Sequence, residues 1–340
     1  MAETKTQAKS PPLPWKVRIF ATISSAVTDA LCASDHTVNR RLSRFLDPRA
    51  SPSPTTPVSG VLSTDVTVDP SINLWFRLFT PSSPSPSPLP ILLFFHGGGF
   101  AFLSAASKPY DAVCRRICRR LPVSAVISVN YRLAPEHPHP AAYDDAAAVL
   151  RFLDSSPPIL PPNADLTNVF LSGDSAGANI VHHAAKWCSS NAHLLKTLKI
   201  KGTVSIQPFF GGVDWTASEV RLEGAPIVNI KRVEWMWEAF LPVGSDRDHP
   251  ASNVFGPRSG LDGFDWGTFP PTVVIVGGFD PLQDRQRGYY EGLKKRGVDV
   301  RVVEYPNAIH AFYVFPELPE SGVFIDMVGR FIEEKSGGVK

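Results

Sequence analysis

Residues 169–185 read VFLSGDSAGANIVHHAA, and the fold turns on them. Val169, Phe170 and Leu171 read as the end of a buried strand. Ala176, Ala178, Ile180, Val181, Ala184 and Ala185 recur at helical spacing. Ser175 sits at the junction, two residues after Gly173 and two before Gly177. In a parallel sheet, ligands gather at the carboxyl ends of strands, where this serine falls. To project a hydroxyl from so sharp a turn, its neighbours must be small, or they collide with the adjoining strand and helix. GDSAG therefore reads as a G-x-S-x-G nucleophile elbow with Ser175 as the nucleophile. The helix that follows aims N–H groups and a partial positive charge at the site.

Outward from the elbow, ILLFFH (91–96) is a continuous apolar run, as expected of a strand buried on both faces. A helix near 108–120, the strand VSAVISVNY (123–131), a helix near 141–154 and NVFLSG (168–173) follow. Beyond the elbow come IKGTVSIQP (200–208), TVVIVGG (272–278), a helix at 284–296, VDVRVVEY (298–305) and a last helix at about 317–335. Strands alternating with helices imply a parallel sheet covered on both faces. Ahead of this, VLSTDVTVD and NLWFRLFTP read as an antiparallel hairpin between two proline/serine-rich loops, 50–60 and 80–90. Residues 1–14 read as a disordered tail and 15–50 as an N-terminal helical lid, with Val17, Phe20, Ile23, Val27 and Leu31 on one stripe. Residues 51–340 read as the main domain, with an insertion at about 209–270 that is rich in tryptophan and phenylalanine.

Two further strand ends complete a catalytic constellation. HGGGF, 96–100, follows ILLFFH directly. Its glycines let the backbone approach a reacting carbonyl, so the N–H groups of Gly97 and Gly98, with that of Ala176, are the expected oxyanion hole. In this fold the triad runs serine, acid, histidine along the chain. Of nine histidines, His310 alone follows the last strand. Asp280 ends TVVIVGGFD and is preferred as the acid over Asp284, which reads as a helix cap. The expected catalytic residues are thus Ser175, Asp280 and His310.

Other residues read more blandly. Arg132 and Glu136 are expected to form a structural ion pair, and His96 to hydrogen-bond its loop. His182 and His183 read as packing residues. Arg115, Arg116, Arg119 and Arg120 read as a solvated helix face. Asp174 either contacts the pocket or bonds backbone N–H groups. Phe100, Phe102, Trp235 and Trp237 shape an apolar pocket or pack the core.

Composition sets bounds. With 43% apolar residues and a formal net charge of +2, a large core is available and no bulk field points to nucleic acid or acidic membranes. Cys32, Cys114, Cys118 and Cys188 show neither CxxC nor metal-ligand spacing. No metal or cofactor is expected. Asp29 interrupts the one signal-like apolar run, which argues for a cytoplasmic chain, with the nucleus as a second location.

Taken together, HGGGF, NYRLAPEHPHPAAYDD, GDSAGAN, GFDPLQDRQRGYYEGLKKRG and HAFY resemble plant carboxylesterases of the hormone-sensitive-lipase group, over about residues 13 to 335. The resemblance implies an α/β-hydrolase fold: a mostly parallel eight-stranded sheet, helices on both faces, and a helical cap made by the N-terminus and the insertion. It implies hydrolysis of carboxylic esters of small acyl groups, and it adds Gly99 and Tyr131 to the expected pocket; the expected partner is a small-molecule ester, with the chain a monomer or homodimer. The same group contains soluble gibberellin receptors, whose lid segment DHTVNRRLSRFLD resembles. Those receptors lack the triad histidine and tend to carry serine at the third glycine; this chain has His310 and Gly99. Relatives in alkaloid pathways use the scaffold for non-hydrolytic ring closure, which a triad alone does not exclude.

Overall fold

The computed structural model describes residues 11–261 and 263–337. Most of the tail expected over 1–14 therefore lies outside the described residues. Helix α1 spans Trp15–Leu31 and α2 spans Arg40–Leu46, the latter capped by the Asn39 side chain accepting from the Leu42 N–H at 3.0 Å. An antiparallel ribbon follows, β1 (Ser53–Val58), β2 (Val61–Asp69) and β3 (Leu74–Pro81). The alternating segment then runs β4 (Leu89–Phe95), α3 (Lys108–Arg120), β5 (Ala125–Asn130), α4 (Ala141–Asp154), β6 (Ala164–Asp174), α5 (Ala176–Ser190) and β7 (Ile200–Ile206). The insertion contributes α6 (Ala217–Arg221) and α7 (Ile230–Phe240). Then come β8 (Thr272–Gly277), α8 (Gln283–Lys295), β9 (Val300–Tyr305) and α9 (Pro319–Lys335).

The nine strands among the described residues form one sheet, ordered β1-β2-β3-β5-β4-β6-β7-β8-β9. From β5 to β9 every pairing is parallel. The sheet has one strand more than the eight expected, because 53–58 is not a loop. Pro54 and Pro57 are tolerated there because β1 is an outer strand with only one partner, β2. Along β4 the side chains alternate between two cores. Ile91, Leu93 and Phe95 face the layer of α4, α5 and α7, whereas Leu92 and Phe94 face α3 and α9.

One helix face departs from expectation. Arg115 is buried, not solvated. Its guanidinium donates to Asp111 at 2.7 Å, to the Val61 carbonyl at 2.7 Å and to the Ser63 hydroxyl at 2.6 Å. Asp111 also accepts from buried Arg77 at 3.1 Å, and Arg77 pairs with Asp65 at 2.6 Å. This network fastens α3 to the β2–β3 ribbon. Arg116 donates to the Tyr313 carbonyl, while Arg119 and Arg120 are exposed as expected. Replacing Arg115 with Met strands part of a buried network, so urea unfolding is expected to show a loss of about 3 kcal/mol. A loss below about 1 kcal/mol would mean that the network contributes no more than a surface pair.

Candidate active site

The elbow forms where β6 gives way to α5. Ser175 adopts φ 52° and ψ −120°, a strained conformation for a residue with a Cβ. It is held by its N–H donating to the Ile206 carbonyl at 2.9 Å, and by its carbonyl accepting from the Phe209 N–H at 3.0 Å. The flanking glycines are steric requirements. A Cβ on Gly177 would lie 2.0 Å from the Phe95 carbonyl oxygen, and one on Gly173 would lie 2.6 Å from the Gly177 backbone.

At the next strand ends, Asp280 and His310 meet. His310 Nδ1 lies 2.7 Å from Asp280 Oδ2. Asp280 is fully buried and accepts three more bonds: from Gln207 Nε2 at 2.9 Å, Gln286 Nε2 at 2.7 Å and the Leu282 N–H at 2.9 Å. Placed so, Asp280 accepts from a protonated Nδ1, which leaves Nε2 of His310 as the basic nitrogen. Burial pulls the His310 pKa down. The Asp280 charge and hydrogen bond, with Asp174 nearby, outweigh it and raise the pKa above the ordinary value of 6.5. Gln207 also accepts from the Ala311 N–H at 2.8 Å and donates to the Ile309 carbonyl at 3.1 Å, so it clamps both sides of the histidine. Nothing in the sequence reading singled out Gln207 or Gln286; a polar side chain at the end of buried β7 is the one available hint. Asp284 is no simple cap: it accepts from the Ser218 N–H at 2.8 Å and so ties α6 to α8.

The glycine loop differs from expectation at one residue. The Gly97 N–H points away from the serine side, donating to Asp174 Oδ1 and to the Tyr110 hydroxyl, each at 2.8 Å. It is committed there and is not free to hold an oxyanion. The N–H groups of Gly98 and Gly99 have no such acceptor among the described residues, and Ala176 opens α5, where the N–H has no partner within the helix. Gly98 requires its φ of 102°, and a Cβ there would sit 2.4 Å from the Phe102 carbonyl oxygen. Asp174 does both things considered for it. It lines the cavity and bonds the loop, and complete burial pushes its carboxyl up to about 6.

Ser175, His310, Gly98, Gly99 and Asp174 line one cavity of about 290 Å³. Its walls are mostly apolar, with Phe102 and Phe209 from the body, Phe20, Ile23 and Val27 from α1, and Val233 and Met236 from α7. Arg232 of α7 pairs with Asp29 of α1 through two bonds of 2.7 Å, and the Trp235 indole donates to the Ala33 carbonyl at 2.7 Å. Two residues expected in the pocket lie elsewhere. The Phe100 ring stacks on Phe240 at 3.7 Å, inside the core. Tyr131 lies beneath the glycine loop, its hydroxyl donating to the His96 carbonyl at 2.7 Å and its ring stacked on His96 at 4.3 Å. His96 bonds its own loop at 2.8 Å, and burial lowers its pKa to about 4, so it stays neutral. Trp237 is core. Arg132 and Glu136 do not pair with each other: Arg132 binds buried Asp145, and Glu136 binds Arg40 of α2. His182 packs, reaching the Tyr289 hydroxyl at 3.0 Å.

Comparison with known proteins places the chain in a family. A family model described as the α/β-hydrolase fold matches residues 92–314. A gibberellin receptor of Arabidopsis thaliana is 40% identical over 312 residues, covering 88% of each chain. Carboxylesterase 20 of the same plant is 36% identical over 278 residues, covering 78% of this chain and 83% of its own. Among solved structures, an ester hydrolase from the Lake Arreo metagenome superposes with a TM-score of 0.74 at 26% identity, covering 96% of this chain and 99% of that one.

Two outcomes follow for the site. Gly177→Ala is expected to lower stability by about 3 kcal/mol or more, because the clash is with backbone and cannot be relieved by a rotamer change; chemical denaturation measures it. Asp174 has a folded-state pKa above its unfolded value of 3.8. Its stabilisation is therefore complete below about pH 4 and is lost as pH rises through about 6. Asp174→Asn should remove that slope from the stability profile between those two pH values.

Proposed function

Because the chain belongs to the α/β-hydrolase family, we propose that it is a serine carboxylesterase acting on small carboxylic esters. The observation that carries this reading is that His310, hydrogen-bonded to buried Asp280, lines the same cavity as the elbow serine. In the proposed reaction, Nε2 of His310 takes the Ser175 proton as the hydroxyl attacks the ester carbonyl. The N–H groups of Gly98, Gly99 and Ala176 hold the developing oxyanion, each contributing about 10²–10³ in rate. Collapse expels the alcohol, which receives its proton from His310, and leaves an acyl-Ser175. Water activated by the same imidazole then releases the acid. Asp280 keeps the tautomer and stabilises the imidazolium. Gln207 and Gln286 hold Asp280.

A second reading is a small-molecule receptor of the gibberellin type. It is favoured by the roof that α1 and α7 make over the cavity and by the similarity to receptors. Against it stand Gly99 and His310, the two positions at which the resemblance separates esterases from receptors. A Cβ on Gly99 would meet Met236 Sδ at 2.1 Å, so a serine at this position needs a different α7 contact. The four unpaired cysteines accord with the proposed cytoplasmic location.

Hydrolysis of short p-nitrophenyl esters tests the proposal. Ser175→Ala and His310→Ala should each lose about 10⁴–10⁶ in kcat. Undiminished turnover by Ser175→Ala would refute it, and calorimetric heat with gibberellins in the absence of any turnover would favour the receptor. Since His310 must be neutral to act as a base and its pKa is raised, kcat/KM should fall with acid along a limb centred above pH 6.5.

A further inference from the structure

A second cleft, of about 300 Å³, opens on the outer side of α2. Four arginines from three separate segments line it: Arg40 and Arg44 of α2, Arg49 of the following loop, and Arg132 after β5. Two carboxylates oppose them, Asp47 and Glu136, so the lining carries an excess of positive charge. The four guanidinium groups are not equivalent. Arg40 is spent on Glu136, on the Ala134 carbonyl and on the Ala101 carbonyl. Arg132 is spent largely on Asp145. Arg44 has no ion pair or hydrogen bond among the described residues, and the nearest acid to Arg49 is Asp47 at 3.9 Å. Arg44, without a partner among the described residues, and Arg49, with only that long contact to Asp47, thus line a cleft in which the other two guanidinium groups are already committed. The remaining lining is not that of a simple ion site. Half-buried Trp75 and Leu133, with Ile72, give it an apolar floor that a bare inorganic anion would leave uncovered.

We propose that this cleft is a second ligand site, separate from the catalytic cavity, for a small organic carboxylate with a flat apolar body. The carboxylate lies between Arg44 and Arg49, where planar two-point pairing is available. The apolar body rests on Trp75 and Leu133. Ser43, Asp47 and Leu103 line both this cleft and the catalytic cavity, so α2 is the partition between them. The site does not depend on the esterase reading, because its binding can be followed without turnover.

The test uses 4-fluorobenzoate as the probe and the width of its ¹⁹F resonance as the readout, with the full-length protein at an ionic strength of about 0.01 M, where the screening length is roughly 30 Å. The wild type and Ser175→Ala should broaden the line equally. The double variant Arg44→Ala/Arg49→Ala should bind about fivefold or more weakly, as should the wild type in about 1 M salt, where screening falls to roughly 3 Å. Acetate, which lacks the apolar body, should compete poorly. Both arginines are on the surface, so a thermal melt will register the double variant as folded. Broadening that is unchanged in the double variant would place the probe in the catalytic cavity alone and overturn the proposal. So would the absence of broadening in the wild type, or equal competition by acetate.

Discussion

A carboxylate taken wholly out of water must be given donors, or it takes up a proton and ceases to be an anion. Asp280 is given four, from His310, Gln207, Gln286 and the Leu282 N–H. They come from the end of β7, from the first turns of α8, from the loop of Asp280 itself and from the loop after β9. The site exists where these pieces meet, so the order β7-β8-β9 in the sheet is a requirement of the chemistry as much as of packing. The imidazole cannot rotate without abandoning a buried anion, which fixes which nitrogen faces the cavity.

The same logic operates across the sheet at β4 and β6. Asp174 ends β6 and accepts the Gly97 N–H from the loop after β4. That bond turns Gly97 inward and leaves the next two glycines outward. Tyr110 of α3 donates to Asp174 at 3.0 Å, and Tyr131 braces the loop from below. The glycine loop is thus shaped by Asp174 and Tyr110, which also line the cavity, and by Tyr131 beneath it. Its geometry belongs to the scaffold, and it is in place before any ligand arrives.

Much of this was legible in the residues. Apolar runs such as ILLFFH and TVVIVGG can only be buried parallel strands, and they lie where the sheet has them. GDSAG, HGGGF and the histidine after the last strand sit at strand ends in the expected order. What escaped the reading shares one physical cause, which is that it depends on direction and not on sequence position. Whether the Gly97 N–H points to solvent or to Asp174 is decided by one peptide plane. Whether Phe100 faces the cavity or Phe240 is decided by its φ of 62°. Arg115 resembles its neighbours in the helical pattern, yet it faces the β2–β3 ribbon and becomes a buried strut. Pro54 and Pro57 read as loop because their pairing partner, β2, lies across a turn and not in the local pattern. Gln207 and Gln286 carry no motif at all; only the anion between them reveals what they do.

The roof of the cavity is stitched from two stretches of chain some two hundred residues apart, joined by the Asp29–Arg232 pair and the Trp235 indole. Neither stretch belongs to the sheet. A guest at the serine therefore lies under a cover sewn from distant parts of the polypeptide. Loosening the seam disturbs that cover without touching the hydroxyl, whereas changes in the walls alter the shape a guest must match.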